Sequence, residues 1–141
     1  MLVAVGFYAS VVLWACQDSQ TLKAQSYISE GQKLYQQKCA NCHQADGKGL
    51  GLLIPPLAEA DFLLKNEKKI ACIIRNGLQG LIIVNGKEYN FKMPANEGLS
   101  ERQIAQIASY VYFKWGGKTP PFYFTDDTVK TQLRVCEEAK P

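Results

Sequence analysis

The stretch Cys39-Ala40-Asn41-Cys42-His43 constrains this chain more than any other. Two thiols with two residues between them can each add across one vinyl group of a porphyrin. The histidine directly after them is then placed to ligate the iron from the same side. The spacing follows from the porphyrin, whose vinyl groups lie on adjacent pyrroles that a single turn of chain can span. With 141 residues the chain suffices for one domain plus appendages. A core of that size is modest, and a buried haem would add a large apolar surface to it.

Three other uses of these residues compete. A redox dithiol of the thioredoxin kind expects a leading strand and a βαβ pattern; residues 29–38 are polar and helical in pattern instead. Zinc wants four ligands, usually as two close pairs, and the remaining cysteines Cys72 and Cys136 are single and far apart. A structural disulfide between Cys39 and Cys42 would leave His43 without a role. Covalent haem accounts for all three side chains.

The five cysteines sort without remainder: Cys16 for lipid, Cys39 and Cys42 for haem, Cys72 and Cys136 for each other. That arithmetic points to an oxidising compartment. Residues 2–15 form an apolar run without a charge, shorter than the ~20 residues of a membrane-spanning helix and fitting a signal peptide. The run ends Leu13-Trp14-Ala15-Cys16, which resembles the lipobox of bacterial lipoproteins and makes Cys16 the expected lipidated residue. No Lys or Arg precedes the run, and an uncleaved anchor helix is the competing reading. Both tether the domain to a membrane; the lipoprotein reading places it on a bacterial cell membrane facing the periplasm. The net charge of +3 comes from scattered lysines, without the aromatic interleaving of a single-strand binder, so no nucleic-acid partner is expected.

Residues 17–25, polar and aperiodic, read as a flexible linker, so residues 16–25 form the lipidated cysteine with its linker and residues 26–118 the domain. A helix is expected from an N-cap near Ser29, with Ile28, Gly31, Leu34, Tyr35 and Cys39 at helical spacing. Gly31, Leu34-Tyr35, the Cys39 to His43 signature and Asp46-Gly47-Lys48-Gly49 together resemble small bacterial class I cytochromes c. The resemblance covers about residues 27–117. It implies an all-α cytochrome c fold in which the N-terminal helix crosses the C-terminal one at Gly31, near Tyr110, and one covalent haem c. It also implies that a proline carbonyl, Pro55 by position, accepts a hydrogen bond from the free nitrogen of His43. A histidine ligand generally needs such a partner to fix its tautomer.

Residues 66–76 read as a helix that stops at Gly77, with an apolar stripe of Ile70, Ile73 and Ile74. Residues 81–84 and 87–91, joined by Asn85-Gly86, read as a small hairpin leading to Met93-Pro94. With the leader removed Met93 is the one methionine left, and His43 is the only histidine in the chain. Met93 is therefore the expected second axial ligand. The resemblance implies in addition that Asn90 orients this loop or bonds the sulfur, and that Tyr89 reaches a haem propionate.

Ser100-Glu101-Arg102-Gln103 is a capping box opening a helix with Ile104, Ile107, Ala108, Val111 and Trp115 on one face, ended by Gly116-Gly117. Residues 119–141 form an extension expected to fold back, with a helix over 126–138 whose Cys136 pairs with Cys72. The sequence thus predicts a tethered one-electron carrier without catalytic residues of its own, exchanging electrons with membrane-associated redox proteins. Lys48 and Lys92, flanking the expected haem edge, point to acidic docking surfaces. A haem subunit of a larger oxidoreductase is the nearest alternative, and a peroxidase or gas-binding protein, in which Met93 would be off the iron, a more distant one.

Overall fold

The computed structural model describes residues 18–138, so the expected leader and Cys16 lie outside the described residues. Among those residues no helix is long and apolar enough to cross a membrane. Helix α1 spans Ser19–Lys38, with the Asp18 carboxylate accepting from the Gln20 amide as its N-cap. This corrects two expectations: Ser29 is an interior position, and the residues expected to form a flexible linker are helical from Ser19 onward. The cause is tertiary. Ala24 and Tyr27 are buried and extend the spacing of Gly31 and Tyr35 toward the N-terminus. The partners of Tyr27 come from the far end of the chain: the Tyr123 ring lies 4.9 Å away and the Tyr27 hydroxyl donates to Asp126 at 2.7 Å.

A one-turn helix α2, Ala40–His43, follows directly. Next come α3 (Asp61–Lys65), a 3-10 turn (Glu67–Lys69) and α4 (Ile70–Asn76). The single helix expected over 66–76 is thus divided, and α3 precedes it unannounced. The division falls between Lys69 and Ile70, and the end of α3 is set by Asn66. Its side chain bonds back to the Phe62 carbonyl at 2.8 Å while its amide is shared between Phe62 and Leu63, a local alternative to continuing the helix.

Strands β1 (Ile82–Val84) and β2 (Lys87–Tyr89) form the expected hairpin, with Ile82 opposite Tyr89 and Val84 opposite Lys87. Asn85 and Gly86 both have positive φ, 49° and 75°, as a type I′ turn requires. The turn is anchored: the Asn85 amide donates to the Asp61 carboxylate at 2.7 Å, and the Asp61 amide returns a bond to the Asn85 side chain.

Helix α5, Glu101–Trp115, opens with the expected capping box. It crosses α1 at Gly31, where a Cβ would land on the Gln106 carbonyl and within 2.9 Å of the Tyr110 Cβ. Around the crossing Tyr35, Tyr110 and Trp115 stack with centroids 5.3 to 5.9 Å apart. The core is α1 against α5, with Ile104, Ile107, Ala108 and Val111 buried. The extension does fold back. Buried Phe124 stacks 5.1 Å from Tyr112 and its amide donates to the Ser109 hydroxyl. Helix α6 (Asp126–Glu138) then buries Val129 and Leu133. A disulfide joins Cys136 to Cys72 on α4, with Cα atoms 6.2 Å apart. The fold is all-α with one small hairpin.

Candidate cofactor site

Cys39 closes α1 and opens α2, and its carbonyl accepts from both the Cys42 and the His43 amides, at 3.0 and 2.9 Å. The signature is therefore a single tight turn. Both thiols are free and half-buried. Burial pushes the Cys39 thiol up to about 11, with Cys42 adding to the effect, whereas a redox-active dithiol needs a lowered pKa. Among the described residues no three His, Cys, Asp or Glu side chains cluster as metal ligands, and Cys72 and Cys136 are consumed by their disulfide. The zinc reading is left without its ligands, and the redox-dithiol reading without an activated thiol.

Cys39 and His43 line an apolar cavity of about 90 Å³ between α1, α4 and α5. Ile70, Ile73 and Ile74 of α4, Ile82 and Val84 of the hairpin, and Met93 also form its walls. The apolar stripe read from the sequence as core packing is thus in part a cavity wall. Protein interiors are close-packed, and an apolar hollow of this kind beside two free thiols and an imidazole fits an apolar group bonded through sulfur and nitrogen. A smaller adjoining pocket is shared by Cys42, His43, Phe91 and Met93.

The His43 ring is fixed from behind. Its Nδ1 lies 3.1 Å from the Pro55 carbonyl; with the proton there, Nδ1–H donates and Nε2 keeps a lone pair for a metal. Burial lowers the His43 pKa, and the Pro55 bond partly offsets this, so the neutral ring is favoured. The loop that delivers Pro55 is closed by the Gly47 carbonyl, which accepts from the Leu57 and Ala58 amides at 2.7 and 3.0 Å. Gly49, at a φ of 68°, donates to the His43 carbonyl at 3.1 Å, and a Cβ there would lie 2.8 Å from the Pro55 carbonyl carbon. Only glycine suits that position.

Met93 is half-buried and lines both pockets with His43. Its backbone exchanges two hydrogen bonds with Leu78, at 2.9 and 3.1 Å. Leu78 and Asn96, which holds the next stretch of loop to α4, were not found from the sequence, since neither carries a motif. Tyr89 is buried, its hydroxyl donating to the Gly51 carbonyl at 3.4 Å, and Asn90 is exposed. Neither lines these pockets.

Residues 28–112 match the Cytochrome c family model. The chain belongs to the cytochrome c family. It is 36% identical over 92 residues to cytochrome c-552 of Thermus thermophilus, covering 62% of this chain and 70% of that one. Cytochrome c-551 of Bacillus subtilis is 36% identical over 84 residues, 54% of this chain and 72% of its own length. The cytochrome c subunit of the quinone alcohol dehydrogenase of Gluconacetobacter polyoxogenes is 30% identical over 103 residues, 71% of this chain but 22% of that subunit. Like its family, this cytochrome c binds haem c covalently and belongs among electron-transfer proteins.

Proposed function

We propose that this cytochrome carries single electrons between membrane-associated respiratory partners. In this reading Cys39 and Cys42 form the two thioether links, and His43 and Met93 are the axial ligands. The observation that carries it is the cavity wall shared by His43 and Met93, with the back of the His43 ring already held by Pro55. Haem supplies the one-electron chemistry. The chain binds and orients that group, excludes water with an apolar wall, and offers a thioether that raises the reduction potential. Two protein ligands leave no position for oxygen or peroxide, so the polypeptide performs no bond chemistry of its own. Near-infrared absorption of the oxidised protein tests this: a thioether charge-transfer band is expected in the wild type and absent in Met93→Ala. A wild type without it would return the protein to the peroxidase or gas-binding class.

Residues 2–15 and Cys16 are read as a lipoprotein leader and anchor, placing the domain on a bacterial membrane facing the periplasm. The Cys72–Cys136 disulfide supports an oxidising compartment. Docking is assigned to the face of the smaller pocket, where exposed Phe91 and Lys92 join Cys42 and His43 in the wall, with exposed Lys48, Leu52 and Leu53 in the loop that follows His43 in the chain. Acidic partner surfaces with an apolar centre fit that pattern. A second reading, a subunit of a larger oxidoreductase, is favoured by the similarity to the quinone alcohol dehydrogenase subunit; co-purification with a membrane complex would select it.

A further inference from the structure

We propose that the C-terminal extension, through Gln132 and the Cys72–Cys136 disulfide, is a positioning device for Met93 that acts through helix α4. The proposal rests on the reading of Met93 as the second iron ligand and concerns what holds it in place. Helix α4 has seven residues, well short of the ~12–15 that an isolated helix needs even to be marginally stable. Its placement is therefore set by its neighbours.

At its start, Gln132 reaches across from α6. Its Oε1 accepts from the Ala71 amide at 3.0 Å and its Nε2 donates to the Glu67 carbonyl at 3.1 Å. The next residue, Cys72, is bonded to Cys136. At the other end, the Ile74 carbonyl accepts from the Asn96 side chain at 3.1 Å and the Arg75 carbonyl from the Asn96 amide at 3.0 Å. Gly77 leaves no room for a side chain against the Met93 carbonyl, and Leu78 pairs with Met93. The extension grips one end of α4, and the Met93 loop hangs from the other.

The loop has little support elsewhere: Phe91, Lys92, Pro94 and Ala95 are exposed. The core also holds α4 through Ile70, Ala71 and Ile74, so freeing the extension weakens the mount without removing it. Gln132 and Cys136 lie outside the segment that the family model matches.

Full-length, haem-loaded protein tests this by the rate at which added imidazole displaces the Met93 thioether, followed through the near-infrared band of the ferric state. The variants are Gln132→Ala, a Cys72→Ser plus Cys136→Ser double variant, and Lys130→Ala, an exposed α6 control. Displacement should be roughly fivefold faster in Gln132→Ala, the scale set by losing a net hydrogen-bond contribution. It should be faster still in the double variant, and unchanged in Lys130→Ala. Equal rates in all proteins, with only the unfolding midpoint lowered, would overturn the proposal and leave the extension a plain staple. If the double variant does not fold, Gln132→Ala decides alone. A wild type with no band overturns the Met93 reading itself, whereas a normal band with equal rates overturns the positioning role alone.

Discussion

Gly49 sits between the carbonyls of His43 and Pro55, and it ties the loop geometry to the chemistry of the histidine. Adding one methyl group there both strains a positive φ and collides with the carbonyls of Ile54 and Pro55, the latter the partner of His43 Nδ1. We expect Gly49→Ala to cost about 1–3 kcal/mol of stability and to move the reduction potential, because the His43 bond to Pro55 tunes ligand basicity. Denaturant melts and a redox titration check this, and an unmoved potential would separate Gly49 from the ligand. Tyr112 offers a purely structural comparison. Its buried hydroxyl donates to the Leu63 carbonyl at 2.6 Å, so Tyr112→Phe should cost roughly 1–2 kcal/mol while leaving the potential where it was. What could be read at this scale was local chemistry, the two cysteines with their histidine and the lone Met93, while Pro55 came through the resemblance to small cytochromes c. Leu78 and Asn96 escaped because their work is done by backbone groups and a carbonyl contact across the fold, which residue identity does not announce.

Helix α6 is held to the N-terminal helix by Asp126, which accepts from the Tyr27 hydroxyl and pairs with Arg102 at 3.0 Å. Burial raises the Asp126 pKa, but the Tyr27 and Arg102 bonds outweigh it and hold the carboxylate below its ordinary value. The same contact, with burial as the larger cause, pushes Tyr27 up to about 12. For a depressed carboxylate the sign is fixed: the stabilisation is full above the unfolded value of ~3.9 and is lost as pH falls through the lower folded value. Asp126→Ala should therefore cost about 1 kcal/mol at neutral pH. Its unfolding curve should converge on that of the wild type as pH falls through the lowered folded value, where the carboxylate is protonated in both states. A constant gap across that range would assign the effect to packing. Elements with strong local signals were legible here: the capping box of α5, the Asn85-Gly86 turn, and the acids Asp126 and Asp127 opening α6. The early start of α1 was not, because Ala24 and Tyr27 find their reason to be helical in contacts made about a hundred residues later. The short helix α3 before Asn66 and the 3-10 opening of the stretch expected to be one helix escaped too, since Asn66 bonds back to Phe62 in a local contact that periodicity does not report.

For the whole molecule, α1, α4, α5, the loop carrying Pro55 and the hairpin surround one apolar cavity, while the disulfide-stapled extension packs behind α4. Exposed Phe91 and Lys92 line the smaller pocket beside His43, and exposed Lys48, 3.6 Å from Asp46, follows in the loop after His43. Electron exchange with an acidic partner should therefore slow as ionic strength rises, by less than a purely charged surface would show, since screening acts on the lysines and leaves the apolar centre intact. Rates independent of salt in stopped-flow mixing would remove the lysines from docking. The central claim, that one haem is bonded to this chain through Cys39 and Cys42, has a direct test. Cleavage after Lys38 and Lys48 of protein matured with its haem machinery releases the peptide that holds both cysteines. That peptide should be heavier by one haem, should resist acid–acetone extraction of its colour, and should take up no alkylating reagent; a peptide of unmodified mass with two alkylated thiols would contradict the account.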